Sequence, residues 1–491
     1  MPAYSLSTTL DLKRRFWRCT EIFSDANCAF LLDSGMDSAR LGRFSYLGGQ
    51  PSALIRGWRT QSDGPTMRLE IQTWREPSGA VNPTAKIRNF HGDPFVALRE
   101  IQKAYRVDKP HPAAPFTAGL VGFFGYETAY AIESLPDTGL DDLELPDFAF
   151  MVVDEVLVRD HHTEQTCLHL IGRGPDAKLA AEKRVAWWRA QLSKLPHDEA
   201  STPARPTAAP VRAHFTREQY MAAVARCQEH ILAGDVFEVC LTHRLEMDLH
   251  GTAWNLYKIL RQINPAPFAS FLQFPDFKVV SASPERFLQL DTEQNVESRP
   301  IKGTRPRGSS SASDEIIKEE LRTASKDRAE NIMIVDLVRN DLGRVCEIGS
   351  VKVPEMLTVE TYATVHQLVS TVQGKLRREF DAFDLVRACF PGGSMTGAPK
   401  VAAMKIIDSI EPVKRGVYSG AIGFIDHAGA MDLGMVIRTI VCRQDVATFG
   451  VGGAIVADSD PGAEYDETMD KARALIAAIN SLSEDKNQGE N

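Results

Sequence analysis

Short apolar runs closed by glycine or other turn formers recur along this chain, and they constrain its fold more than any other feature. Asn27-Cys28-Ala29-Phe30-Leu31-Leu32-Asp33-Ser34 is one such run, and its length suits a buried strand. The stretches 42–49 and 119–126 are aromatic and punctuated by glycine, which inside a strand marks a bulge or a close backbone approach. The Val-rich stretch 148–158 and the stretch 166–171 read as paired strands joined through His161-His162-Thr163-Glu164, two histidines of a solvated turn. A helix follows, with Val185, Trp188 and Leu192 on one face, and it ends before Pro196.

Residues 197–211 are rich in Pro, Ala, Ser and Thr without apolar periodicity, which makes them a linker between a first lobe, 1–196, and a second, 212–482. The second lobe opens on a helix start: Thr216 as N-cap, Gln219 completing a capping box, and Phe215 against Tyr220 as a staple. Tyr220, Val224, Cys227 and Ile231 then form one stripe, closed at Gly234. Further strands are expected at 236–246, 268–274, 278–282, 417–425, 431–442 and 447–456, and helices at 313–323, 328–342, 384–389, 399–409 and 463–482. The polar tail 483–491 is expected to be disordered. These elements describe an α/β protein.

The formal net charge of −9 over 491 residues argues against general nucleic-acid binding. No window approaches the roughly eighteen uninterrupted apolar residues of a membrane span, and residues 1–16 lack the apolar core of a signal peptide. The eight cysteines are scattered, with no CxxC pair, which points to a reducing, cytoplasmic compartment.

Against this acidic background the stretch 298–308 stands out. Arg299, Lys302, Arg305 and Arg307 crowd into eleven positions that two prolines and two glycines would hold as a shaped loop. It reads as a solvated basic loop, as a phosphate patch, or as a setting in which burial depresses the Lys302 pKa and frees a neutral amine. Glu464 and Glu467 share one face near a helix start, and Glu330 opens a helix that is otherwise mostly apolar. These acids suit Mg²⁺, or simply favour helix N-termini. The glycine runs 391–400 and 450–454 offer backbone amides to an anion, or form tight turns. Arg438, in the otherwise apolar strand 435–441, requires an anionic partner if it faces inward. Together they suit a small carboxylated substrate whose charge is shared between Mg²⁺ and Arg.

Several long motifs occur in one order: Pro300-Ile301-Lys302-Gly303-Thr304, Asp327-Arg328-Ala329-Glu330-Asn331, the run 335–344, the loop 393–400, and Asp466-Glu467-Thr468 with Lys471-Ala472-Arg473. In these the chain resembles the chorismate-utilising enzymes, over nearly all of the second lobe and more weakly in the first. The resemblance implies two central antiparallel sheets packed together, flanked by helices, with both lobes interleaved around one cleft. Members that direct ammonia or water to C2 of chorismate have Ala at the Lys302 position, whereas Lys there marks the aminodeoxychorismate synthases, component I. By resemblance Lys302 attacks C2 with loss of the C4 hydroxyl, and ammonia then attacks C4 and expels the lysine. An amine tethered at C2 has a high effective concentration there and blocks direct attack.

The same resemblance makes Glu330 and Glu467 ligands of Mg²⁺, with Glu464 direct or through water. It gives Arg438, Tyr418, Gly453, Ala454 and Lys471 to the substrate carboxylates, and Ser394 and Thr304 to hydroxyl contacts. Glu285 becomes the acid for the departing C4 oxygen, or else a structural ion pair. Two positions depart from the family: Gln367 stands where relatives often carry His, with His366 one residue out of place, and Glu238 stands where the water-using members carry a base Lys. No Gly-x-Cys-x-Gly elbow surrounds any cysteine, so ammonia is expected from a separate glutamine amidotransferase subunit. The stretches 31–34 and 264–268 would line a tryptophan pocket in the first lobe, its occupancy open because Asp33 shortens the usual acid. The rival within the family is C2 amination, as in anthranilate synthase component I; a non-catalytic relative that only binds is the alternative outside it.

Overall fold

The computed structural model describes residues 3–12, 14–35, 41–60, 66–107, 114–196, 209–362 and 365–482. Most of the expected linker, 197–208, and the expected tail, 483–491, lie outside the described residues.

Among the described residues, two twelve-stranded antiparallel sheets pack face to face. Both draw on both halves of the sequence: Ala29–Asp33 pairs with Phe268–Gln273 in the first sheet, and Gly119–Phe124 with Ala421–Asp426 in the second. The period-two geometry of a strand explains the layering. Along Phe148–Val153, Ala149, Met151 and Val153 enter the core between the sheets, while Phe148, Phe150 and Val152 face the helices outside. Strands covered on both faces read as continuous apolar runs, as the sequence suggested.

Helices close the outer faces. Trp188, Tyr257 and Leu475 come from three helices that cover the first sheet, and Leu98, Val335 and Leu385 from three that cover the second. Helix Arg217–Ala233 has the expected capping box at Thr216 and the expected left-handed Gly234, at φ 85°. No helix among the described residues is long and apolar enough to cross a membrane, and all eight cysteines are free thiols.

Three sequence expectations need correction, and two of them mark places where the chain passes from one sheet to the other. The run 148–158 is two strands, Phe148–Val153 in the second sheet and Glu155–Asp160 in the first. Asp154 makes the break; it is buried, and it accepts from Ser52 Oγ at 2.5 Å and Arg173 Nη2 at 2.6 Å. The run 431–442 divides likewise into Met431–Met435 of the second sheet and Thr439–Arg443 of the first. The basic stretch is not a loop, since Asn295–Arg299 and Ile301–Pro306 are strands of the second sheet interrupted at Pro300.

Candidate active site

A cleft of about 790 Å³ lies beside two sheet-to-sheet crossings. Glu285 occupies one, between strand Lys278–Ser283 of the first sheet and Arg286–Leu290 of the second. Its backbone oxygen accepts from Met435 N at 2.9 Å, which ties it to the other crossing. Burial pushes the Glu285 carboxyl up to about 7, against the opposing pull of the Ser394 hydroxyl and of Lys302 and Arg438.

Arg438 occupies the second crossing. The chain turns there through a left-handed residue, φ 50°, so Arg438 sits in a kink between two strands and not within one. Its guanidinium makes no ion pair among the described residues, and burial pulls its pKa down while Glu285 opposes. A cation desolvated in this way is suited to an anionic ligand.

Lys302 enters from the edge strand Ile301–Pro306, where the ladder to Val365–Lys375 is irregular between Ile301 and Thr304. Gly303 follows at φ 82°, and a β-carbon on it would lie 2.8 Å from Asp327 Cγ. Asp327 in turn accepts from Arg305 Nη2 at 2.9 Å, which fixes the start of helix Ser325–Gly343 against this strand. Lys302 Nζ donates to Glu238 Oε1 at 3.1 Å and lies 3.6 Å from Glu330 Oε2. Its charge state differs from the sequence expectation. Burial does pull its pKa down, but the Glu238 and Glu330 carboxylates outweigh burial and hold it raised, so the amine is an ammonium here.

The three expected metal ligands are each held by a lysine: Glu330 by Lys302, Glu464 by Lys326 at 3.2 Å, and Glu467 by Lys471 at 2.8 Å. Their oxygens do not all come within 4.8 Å of one another. They nevertheless fit a hard cation. Against the pull of burial, the Lys326 ammonium is stabilised by all three carboxylates, Glu464 most strongly, so one positive charge already draws on the whole set. Glu330 is pushed up by burial; Glu467 is held down, despite burial, by Lys471, Lys326 and Lys302.

The family model described as chorismate binding enzyme matches residues 64–477. This chain belongs to that family. An aminodeoxychorismate synthase of Streptomyces pristinaespiralis is 42% identical over 94% of this chain. The chain spans 63% of that relative's length and 64% of its Streptomyces griseus counterpart's. Aminodeoxychorismate synthase component 1 of Klebsiella aerogenes is 37% identical over 92% of this chain and 94% of its own. Among solved structures, anthranilate synthase component I from Streptococcus pneumoniae superposes with a TM-score of 0.75 at 29% identity, covering 90% of this chain and 93% of that one.

Every site residue expected from the sequence lines the cleft except one. Glu464 lies behind the wall: it is buried, takes Ser459 Oγ at 2.7 Å, and has Oε2 where a β-carbon on Gly453 would come within 3.0 Å. Gly453 and Ala454 belong to strand Val446–Ile455, which among the described residues is paired on one side only beyond Phe449. Tyr418 lies flat on the same strand because Gly450 has no side chain, a β-carbon there falling 2.2 Å from the ring. Thr304 pairs with Gln367 across the ladder, and Lys471 Nζ also reaches Gly452 O at 2.8 Å.

Gln367 faces the cleft, whereas His366, its neighbour on the opposite face, is buried between Thr361 and Asp314 at 2.9 Å each. The residue out of place in sequence is therefore out of the site. The two stretches expected around a tryptophan come together from the two lobes: Asp33 pairs with Ala269, next to the second stretch, and a β-carbon on Gly35 would lie 3.3 Å from Ala266 O. The Asp33 carboxylate is already engaged by Tyr257 at 2.9 Å and Arg261 at 2.5 Å. Sequence reasoning missed Lys326, although its place four residues before Glu330 on a helix start was a readable signal.

Proposed function

We propose that the cleft aminates chorismate at C4 with ammonia, giving 4-amino-4-deoxychorismate and water, on the route to p-aminobenzoate and folate. The observation that carries this reading is a lysine nitrogen buried in the cleft beside carboxylates, with Glu285 and the unpaired Arg438 in the same wall. Arg438 receives a substrate carboxylate. Glu330 and Glu467, with Glu464 behind them, would hold Mg²⁺, which when bound offsets the charge of the ring carboxylate.

Lys302 first gives up its ammonium proton, for which Glu238 at 3.1 Å and Glu330 at 3.6 Å are the nearest acceptors. Its nitrogen then bonds to C2 while the C4–O bond breaks. Glu285, poised near neutrality, protonates the departing oxygen, which leaves as water. Ammonia bonds to C4 as the C2–nitrogen bond breaks, and one proton passes from the incoming nitrogen to the lysine. The amine is regenerated. Ammonia is supplied by a separate glutamine amidotransferase subunit; a separate partner is supported by relatives called component 1. Eight unpaired cysteines suit the reducing cytoplasm.

Mass spectrometry of products from chorismate, Mg²⁺ and an ammonium salt tests the reaction. A 4-amino product is expected. Lys302→Ala should abolish it, since covalent attack cannot proceed without the amine. The second reading, C2 amination, is favoured by the likeness to anthranilate synthase component I; anthranilate without any 4-amino product would establish it instead.

A further inference from the structure

We infer that Lys326 is an internal competitor for the divalent cation: its ammonium caps Glu464 in the metal-free protein and has to be released before that carboxylate can help to hold the ion. The inference rests on the Mg²⁺ role proposed for Glu330, Glu464 and Glu467. Three observations carry it. The first is placement. Glu464 is buried and does not line the cleft, whereas Lys326 does. Lys326 Nζ donates to Glu464 Oε1 at 3.2 Å, so this ammonium links the buried carboxylate to the cleft wall. The other oxygen, Oε2, accepts no hydrogen bond among the described residues, and it lies beside Gly453, a cleft residue with no side chain to cover it.

The second observation is tethering. Lys302 Nζ is shared between Glu238 and Glu330, and Lys471 Nζ reaches Glu467 Oε1 and Gly452 O at 2.8 Å each. Lys326 has Glu464 as its one hydrogen-bond and ion-pair partner among the described residues, and its side chain is half exposed. Of these lysines it leaves at least cost, because a half-exposed ammonium recovers its hydration on release. The third observation is the helix. Lys326 is the second residue of Ser325–Gly343, whose start has no side-chain cap. A cation there opposes the helix dipole, which favours acids in the first turn. The helix gives no reason for a lysine at this position, but the carboxylates do: against burial, its ammonium is held by Glu464 first, and by Glu330 and Glu467 beyond it. A divalent ion drawing on the same oxygens repels that ammonium.

Lys326→Met removes the charge and keeps an unbranched side chain; Lys326→Arg keeps the charge. Calorimetry without substrate measures Mg²⁺ affinity in the parent chain and both variants. Thermal melts with and without Mg²⁺ show that each variant is folded and supply a second readout. Expected is an affinity on the order of tenfold higher for Lys326→Met and within about threefold of the parent for Lys326→Arg, couplings between two sites spanning roughly 5- to 150-fold. Without Mg²⁺, Lys326→Met should melt below the parent, since Glu464 is left buried with no counter-charge. Mg²⁺ should then raise its melting temperature by more than it raises the parent's. An affinity in Lys326→Met equal to or below the parent's overturns the inference. So does an equal gain in Lys326→Arg, which would trace the effect to shape and not to charge. Binding by Lys326→Met alone upholds it in its strongest form. If neither the parent nor Lys326→Met binds Mg²⁺, the reading that gives these acids to the ion fails, and the inference falls with it.

Discussion

At Glu285 a carboxyl group is buried among Ser394, Lys302 and Arg438, and desolvation outweighs the cations that favour its charged form. With a pKa near 7 it is protonated below neutrality and loses its proton as pH rises through 7. An acid must carry its proton to give it away. The proposed amination should therefore show an alkaline limb with a midpoint near pH 7 in a rate profile taken with saturating ammonia. Glu285→Gln should erase that limb and slow turnover by on the order of 100- to 10,000-fold, the usual worth of a general acid. A profile flat across neutrality in the parent chain would remove Glu285 from that role. Lys302 shows the opposite balance. The sequence frame, an apolar neighbour and a glycine, suggested burial alone; only the fold brings Glu238 and Glu330, both distant in sequence, to the nitrogen.

The elements that matter most are the crossings between sheets. A strand that leaves one sheet for another must break its ladder within a few residues, and backbone and side chains there are free to face a cleft. Arg438 and Glu285 occupy two such breaks, joined through Met435 N and Glu285 O at 2.9 Å. Arg438 has no ion pair among the described residues, so its burial is a cost to the ligand-free protein. Arg438→Met should therefore leave the melting temperature unchanged or raised. The same change should raise KM for chorismate on the order of 10- to 100-fold, since a hydrogen bond to a charged group contributes about 1.5–3 kcal/mol. A lower melting temperature with KM intact would show the residue to be structural. The glycines of this region serve packing: Gly450 lets the Tyr418 ring lie against its strand, and Gly303 admits Asp327 beside Lys302.

For the molecule as a whole, stability and site share one architecture, two sheets pinned where the chain passes between them. Asp154 and Arg173 form a buried ion pair at the crossing that does not serve the cleft. Asp154→Ala leaves the guanidinium buried against the Tyr105 carbonyl and ring without a counter-charge, and removing one partner of such a pair costs about 3–5 kcal/mol. The variant should unfold at clearly lower denaturant, with KM for chorismate unaltered in the fraction that remains folded; an unchanged midpoint would show that water compensates the pair. Much of this was readable beforehand. Apolar runs of strand length, the capping box at Thr216 and the ordered motifs of the second lobe are local, and local signals survive without knowledge of the fold. The runs 148–158 and 431–442 were read as single strands because a change of sheet leaves no change of hydrophobicity: both halves are buried on both faces. The basic stretch was read as a loop because Pro300 and Gly303 hid a strand that interrupts and bulges but does not end. The sequence by itself thus determined many of the strands and helices, and which residue types gather at the cleft. The tertiary structure alone decided that Glu464 stands behind the wall, that His366 faces away, and that Lys302 is an ammonium. Those outcomes depend on Coulomb fields and side-chain direction among residues tens to hundreds of positions apart, which no local pattern encodes.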